Sequence, residues 1–318
     1  MRLHRMFLLG FGALGPITGR AQSPASVATP SPVRFSGYVQ ARETWQENAG
    51  LTASINRARL TAGGGLVEGL TWRIQGEFRT GNAGTCRASV SLQDAFIRYA
   101  QGPWAIQAGQ FKTPFTREFV MSLTDVETAD RAAVVDSLAP KRDIGLMAEY
   151  NFGKLFSVYA GAFNGNGQNI STNPDSSVLG VSRLVVRPLP GLSLGAYGAR
   201  YFGDSTRYGF EASVETSRIV VRGEWLAQSR DGVDAPIDQG WYGLAGYFVA
   251  PSVQVAGKYE YFGRDGISRQ QKNRAWTAAL NVYPWNRNTR IGLEYISRKI
   301  GDPGIRKGQV LGQFQVRF

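Results

Sequence analysis

Two residue types on which enzyme chemistry often depends are almost missing. The 318 residues hold one cysteine, Cys86, and one histidine, His4. A lone cysteine cannot close an intramolecular disulfide, so the fold must hold without that staple. Nothing around it in "TGNAGTCRA" marks a low-pKa thiolate, and Cys86 reads as a tolerated loop residue. Long apolar runs are also missing. No window beyond the start reaches the roughly 18 apolar residues of a helical span, which excludes helices as membrane-crossing elements. Charged residues make up only 19% of the chain, against 43% hydrophobic, a balance that fits an ordered, β-rich protein and not a disordered one.

What is present begins with "MRLHRMFLLGFGALGPITGRAQS": a basic start, a short apolar run from Met6 to Leu14, and small residues Gly19 and Ala21. This predicts a secretory signal over residues 1–21, since the apolar run is far shorter than the ~20 residues of a span. Cleavage after Ala21 would remove Arg2, Arg5 and Arg20 but no acid, lowering the net charge from +12 to about +9. It would also remove His4, leaving no imidazole for a triad, a general base or a zinc site. That argues against a barrel lipase or protease, and the chain is expected not to be an enzyme. Residues 22–32 read as a short linker and 33–318 as one barrel domain.

Runs of about ten residues with period-two alternation recur down that domain, broken by Gly, Pro, Asn and Asp. In "GLTWRIQGEFR", Leu70, Trp72, Ile74, Gly76 and Phe78 take one side and Thr71, Arg73, Gln75, Glu77 and Arg79 the other. Similar patterns in "SRIVVRGEWL", "SVQVAGKYEYF" and "RIGLEYISR" bring the expectation to about sixteen strands. Short turns such as "QGP", "FGK" and "PLPG" are interleaved with longer polar loops such as "NGNGQNISTNPDSS", as in a membrane barrel with unlike rims. Trp45, Trp104, Tyr201, Tyr208, Trp241, Tyr261, Trp276 and Trp285 fall near strand ends, where amphipathic rings would meet the membrane interface. The chain ends on "GQVLGQFQVRF", in which Val310, Gly312, Phe314, Val316 and Phe318 share one apolar parity. In lipid every backbone group needs a partner, so the sheet must close and this last strand must pair with the first. The fold class expected is all-β, a transmembrane antiparallel barrel of the outer membrane of a Gram-negative-type cell.

Assigning the apolar parity to lipid points Arg57, Arg59, Arg73, Arg79, Arg98, Arg218, Arg222, Lys258, Arg290 and Arg317 inward, against Glu77, Asp94, Glu224, Glu260 and Glu294. The excess is arginine, whose planar fork grips phosphate or carboxylate with two parallel bonds and stays charged. Cationic rings in a narrow aqueous pore favour anions over cations. The longest link, 112–142, carries Lys112, Arg117, Arg131, Lys141 and Arg142, matched by Glu118, Asp125, Glu127, Asp130 and Asp136. Within it Thr124 and Glu127 have capping-box spacing and predict a short helix. Links this long in compact folds are usually functional. The glycines of "GNGQN" and "AGGGL" do not form a phosphate-cradling loop before a helix, and no cofactor is expected.

The ordered set "INRARL" (55–60), "LQDAFIRYA" (92–100), "AGQFKTPF" (108–115), "PKRDIGL" (140–146), "GAFNGNG" (161–167) and "ALNVYPW" (279–285) resembles the phosphate-selective porin family of the O and P type over nearly the whole mature chain. The resemblance implies a sixteen-stranded channel, usually a homotrimer, with one inward-folded constriction loop, here 112–142. It also implies cations around the narrowest part, for which Lys112, Arg131 and Lys258 are the expected positions. The terminal Phe318, with Val316 and Phe314, is similar to the signal by which the barrel assembly machinery recognises such strands. The function expected is passive diffusion of small anions, phosphate or polyphosphate included. A general porin of weak anion preference and a secreted β-sandwich binding acidic polymers are the alternatives. Outer-membrane lipid is an expected partner; nucleic acid is not.

Overall fold

The computed structural model describes residues 31–80, 88–173, 176–232, 238–264, 271–301 and 304–318. The signal segment 1–21, most of the 22–32 linker, and Cys86 lie outside the described residues. Sixteen antiparallel strands close into one barrel, each paired with its sequence neighbours and the last with the first. They are β1 (Arg34–Gln46), β2 (Gly50–Val67), β3 (Leu70–Arg79), β4 (Ser89–Gln101), β5 (Trp104–Lys112), β6 (Arg142–Phe152), β7 (Phe156–Phe163) and β8 (Leu179–Leu189). The second half continues with β9 (Leu192–Tyr201), β10 (Ser205–Glu215), β11 (Ile219–Arg230), β12 (Asp238–Ala250), β13 (Val253–Arg264), β14 (Gln271–Val282), β15 (Thr289–Gly301) and β16 (Gly304–Arg317).

The seam uses the chain's last residue. Gly37 N–H donates to the Phe318 carbonyl at 2.9 Å and Phe318 N–H to the Gly37 carbonyl at 3.1 Å. A Cβ on Gly37 would lie 2.3 Å from the Arg59 carbonyl oxygen, so that close approach requires glycine. The ring of Phe318 is exposed on the outer face, continuing the apolar row of Phe314 and Val310.

One rim holds uniformly short links, 68–69, 102–103, 153–155, 190–191, 216–218, 251–252 and 283–288, together with the seam's Phe318 end. The other is more varied than the sequence predicts. The link 113–141 is long, but 47–49, 202–204 and 302–303 are as short as the turns opposite. Strands there run further than their apolar alternation does, because polar residues continue the ladder beyond the lipid-facing band.

Outward rings cluster on the outer face, near strand ends at Trp241, Trp104 and Tyr150 but midway along β13 and β14 at Tyr259 and Trp276. Trp241, Tyr259 and Trp276 step across three strands with centroids 5.2 and 4.5 Å apart, and Trp104 meets Tyr150 at 4.4 Å. Tyr201 does not belong to a belt as expected. It shares the inward parity of Tyr197 and Ala199, and the Arg207 guanidinium lies 4.6 Å from its ring centroid. Register shifts occur next to three short turns, at Phe248/Ala250, Gly65/Val67 and Val186/Leu189, and at two bulges further along the strands: Asn56 is the extra residue opposite Gln40 and Ala41, and Gln93 the extra residue opposite Gln75 and Gly76.

The barrel's core lies inside it, on the link 113–141. Two short helices, α1 (Arg117–Val120) and α2 (Ala133–Leu138), carry Phe119, Val134, Val135 and Leu138, which bury with Phe115 against Tyr197, Leu226, Tyr242, Leu244 and Phe262 of the wall. Each such side chain contributes roughly 1.5–3 kcal/mol when fully buried. The predicted helix at Thr124 does not form, and residues 121–131 are irregular. Helix initiation falls instead to Thr116, whose hydroxyl accepts from Phe119 N–H at 3.0 Å. Glu127 is drawn across the lumen to Arg222 rather than back to a cap.

Candidate functional site

The link 113–141 is fastened along one arc of the inner wall. Four donors converge on the buried Glu224 carboxylate: the N–H groups of Arg117 (3.2 Å) and Glu118 (2.7 Å) and the hydroxyls of Tyr197 (3.0 Å) and Tyr242 (2.9 Å). Glu260 accepts from Ala133 N–H at 3.2 Å. Cations on the same arc take the loop's acids and carbonyls. Arg222 pairs with Glu127, Arg290 donates to the Val126 carbonyl, and Lys258 donates to the Asp130 carbonyl at 3.0 Å. Arg317 reaches Asp125 at 2.5 Å. Arg42, on β1, forks onto the two carboxylate oxygens of Asp130 at 2.9 and 3.0 Å. Burial alone would push the Asp130 carboxyl up, but the Arg42 guanidinium and its hydrogen bonds outweigh it and hold the group below the ordinary range. For Glu118 and Glu127 burial wins, and both carboxyls are pushed up.

The opposite arc, β2 to β6, stays clear of the loop except at its near edge. There Val120 and Ser122 of the loop face Tyr38, Arg59, Arg73, Asp94, Lys112 and Arg142 across a cavity of about 230 Å³. Glu77 is shared by Arg59 and Arg79, each with Nε at 2.5 Å. Asp94 is shared by Arg142 at 2.8 Å and Arg73 at 3.6 Å. Five cations thus surround two carboxylates. Arg73 and Arg79 remain the most open, with 45% and 59% of their side chains exposed. Lys112 donates to the carbonyls of Met121 (2.7 Å) and Val120 (3.2 Å), tying the loop's edge to the open arc.

The remaining expected residues separate by position. Arg57 lies beside the Asn56 bulge, within the field of Asp130. Arg98 pairs with Glu149 at 2.8 Å further along the open arc. Arg117 points toward the short-turn rim and pairs with Glu215 at 2.7 Å, in a cavity it shares with Lys154 and Arg187. Five expected positions need correction. Arg218 is not on the wall: strand β11 starts at Ile219, and Arg218 stands exposed in the turn. Arg222 and Lys258 face inward but are covered by the loop they hold. Arg131, expected at the narrowest part, is buried within the loop, donating to the carbonyls of Glu118 (2.9 Å) and Phe119 (3.1 Å) with its guanidinium 5.1 Å from the Phe119 ring centroid. Lys141 is exposed at the loop's end, at φ 63°, and contributes its carbonyl to Thr113 N–H at 3.0 Å. Sequence reasoning missed Arg42, whose shared parity with Tyr38 and Gln40 would have found it, and the Arg183–Glu211 pair at 2.6 Å.

The chain matches the family described as "Phosphate-selective porin O and P" over residues 35–189 and 195–318. No curated protein matches it. Among solved structures it is similar to the trimer form of OmpT from Vibrio cholerae (TM-score 0.68, 11% identity, 91% of this chain and 99% of that one). It is similar to an anion-selective porin from Comamonas acidovorans (TM-score 0.67, 14% identity, 91% and 100% covered). The outer-membrane channel DcaP of Acinetobacter baumannii is comparable, at TM-score 0.65, 13% identity and 94% and 99% coverage. At such identities these likenesses speak for the sixteen-stranded fold.

Proposed function

Because the chain belongs to the phosphate-selective porin O and P family, and is therefore an outer-membrane porin, we propose that it conducts small anions passively through the gap between its loop and its open arc. The family and the barrel point to a channel rather than an enzyme. The observation that carries anion preference is the gap itself, which is lined by Arg59, Arg73, Lys112 and Arg142 against the single carboxylate of Asp94. Arg59 and Arg142 bond their carboxylates through Nε and both line the gap, so an anion there would meet charged, geometrically fixed forks. A low-dielectric wall concentrates this field, which lowers the entry barrier for anions and raises it for cations. The two shared carboxylates temper it, favouring passage over tight binding. Such compensation also supports the second reading, a general pore with weak anion preference.

Phosphate belongs to the same proposal as the anion whose oxygens would match two adjacent guanidinium forks. The measurement is the single-channel reversal potential under a chloride gradient, repeated with phosphate added. Anion preference with chloride current blocked by low phosphate supports a phosphate site. Anion preference without block leaves a general anion pore, and cation preference overturns the reading. Assembly as a homotrimer, as in the OmpT trimer form, and recognition of the Phe314, Val316 and Phe318 strand by the barrel assembly machinery are further parts of the proposal. Deleting Phe318 removes both seam bonds to Gly37 and should abolish membrane insertion, read by outer-membrane fractionation.

A further inference from the structure

A second cavity, of about 820 Å³, lies inside the barrel at the rim of the short links, apart from the gap. It is walled by the ends of β6 to β10 and by the turns 153–155 and 190–191, with Arg117 reaching in from α1. Short turns of such barrels face the periplasm, so the cavity stands on that side. The cavity is cationic. Arg117 is paired with Glu215 at 2.7 Å, but among the described residues neither Lys154 nor Arg187 has a carboxylate within ion-pair reach. Arg187 donates to the Ser157 hydroxyl at 3.0 Å and has charge left to offer.

The same wall holds polar groups with nothing to bond. Ser193 and Ser213 stand directly opposite each other on β9 and β10, both with inward parity and both lining the cavity. They are only 9% and 3% exposed, and neither hydroxyl has a partner among the described residues. The Nε of Arg117 is buried and unpartnered as well. Buried polar groups are normally satisfied, so three exceptions around one cavity call for a ligand that meets them. Tyr159 adds a less polar flank, packed from behind against the loop's apolar core. The volume lies within the range of small-molecule pockets and is several times that of the gap.

We propose that this cavity is a binding site, separate from the conducting gap, for a small hydroxylated dianion of the sugar phosphate class. Its phosphate is held by Lys154 and Arg187, its hydroxyls meet Ser193 and Ser213 after a turn of each serine about its Cα–Cβ bond, and its ring face lies on Tyr159. The site rests on the porin reading only for the side of the membrane it faces.

The test titrates the full folded chain in neutral detergent, by calorimetry, with glucose 6-phosphate, glucose and inorganic phosphate. Glucose 6-phosphate should bind more tightly than inorganic phosphate, and glucose should not bind. Lys154→Gln combined with Arg187→Gln should weaken glucose 6-phosphate roughly tenfold, the order expected when charge-assisted hydrogen bonds to a ligand are lost. Ser213→Ala should weaken it severalfold, leave inorganic phosphate unchanged and not lower thermal stability, because the hydroxyl it removes has no partner in the wall. Undiminished binding by the double variant, equal affinity for glucose 6-phosphate and inorganic phosphate, or lost stability with unchanged binding in Ser213→Ala would each overturn the site. In planar bilayers the double variant should keep the anion preference of the unmodified channel; if that preference is lost, the two cations belong to the conducting path and the site is not separate. Cation preference in the unmodified channel would overturn the proposed function alone and leave the binding result standing.

Discussion

The two arcs of the inner wall carry the same kind of side chain and use it differently. On the docking arc, Arg222, Lys258, Arg290 and Arg317 are occupied by carboxylates and carbonyls of the loop. On the open arc, Arg59, Arg73 and Arg142 share acids of the wall itself and border the gap. What separates them is not residue type or parity but whether the loop's acceptors reach them. This sorting also resolves the loop's balanced charge. Asp125, Glu127 and Asp130 turn to the docking side, to Arg317, Arg222 and Arg42. The edge left toward the open arc is Val120 and Ser122, with no carboxylate. A constriction neutral in sequence is therefore cationic in space.

The contrast breaks most completely if the loop is released. Glu224→Ala removes the acceptor for two buried N–H groups and two buried hydroxyls, and each unsatisfied donor costs roughly 1–3 kcal/mol. The loop should undock, raising unitary conductance severalfold and opening Arg131 to trypsin. Unchanged conductance with full protease resistance would show that the apolar packing of Phe115, Val134 and Leu138 holds the loop alone. Arg222→Ala is expected to be milder. It leaves the buried Glu127 without its counter-ion, but the Glu224 cluster persists, so the loop should loosen locally and the channel should become noisier while staying anion-preferring. A quiet current trace would argue against Arg222 as a tether.

How much of this could be read in advance follows from the range of each interaction. Strands such as 70–79 and the closing row Val310 to Phe318 declare themselves because lipid on one side and water on the other impose a period of two. The bulges at Asn56 and Gln93 were invisible because one extra residue leaves the hydropathy pattern nearly intact while shifting which side chain faces in. The open-arc arginines 59, 73 and 79 could be placed from parity alone. The docking arc could not. Lys258 and Arg222 have the same parity signature as pore-lining cations, and only their partners some 95 to 128 residues away in sequence reveal them as loop anchors. Likewise the capping-box spacing at Thr124 was a valid local signal, overridden when Glu127 found a buried guanidinium.

Selectivity should respond to the open arc and not to net charge. Arg73→Glu reverses the most open charge directly bordering the gap, beside Asp94, and should move the reversal potential toward cations at 0.1 M salt with little change in thermal stability. A shift as large from a docking-arc charge would erase the distinction between the arcs.

The smallest effect is expected from Arg218→Glu, the same charge reversal placed in the 216–218 turn. By sequence parity Arg218 belongs with Arg222 on the wall, so a parity account predicts a selectivity change like that of Arg73. By position it is exposed to solvent at the short-turn rim, and its N–H is held by the Thr216 hydroxyl at 3.3 Å. Ions screen such a charge over about 10 Å at 0.1 M and about 3 Å at 1 M. The reversal potential should therefore shift slightly at 0.1 M and not at all at 1 M, whereas part of the Arg73 effect should survive at 1 M because the gap narrows the screening cloud. If Arg218→Glu matched Arg73→Glu at both salts, selectivity would be set at the rim by the summed field. The sorting of charge between the two arcs would then fix the loop without choosing the ion.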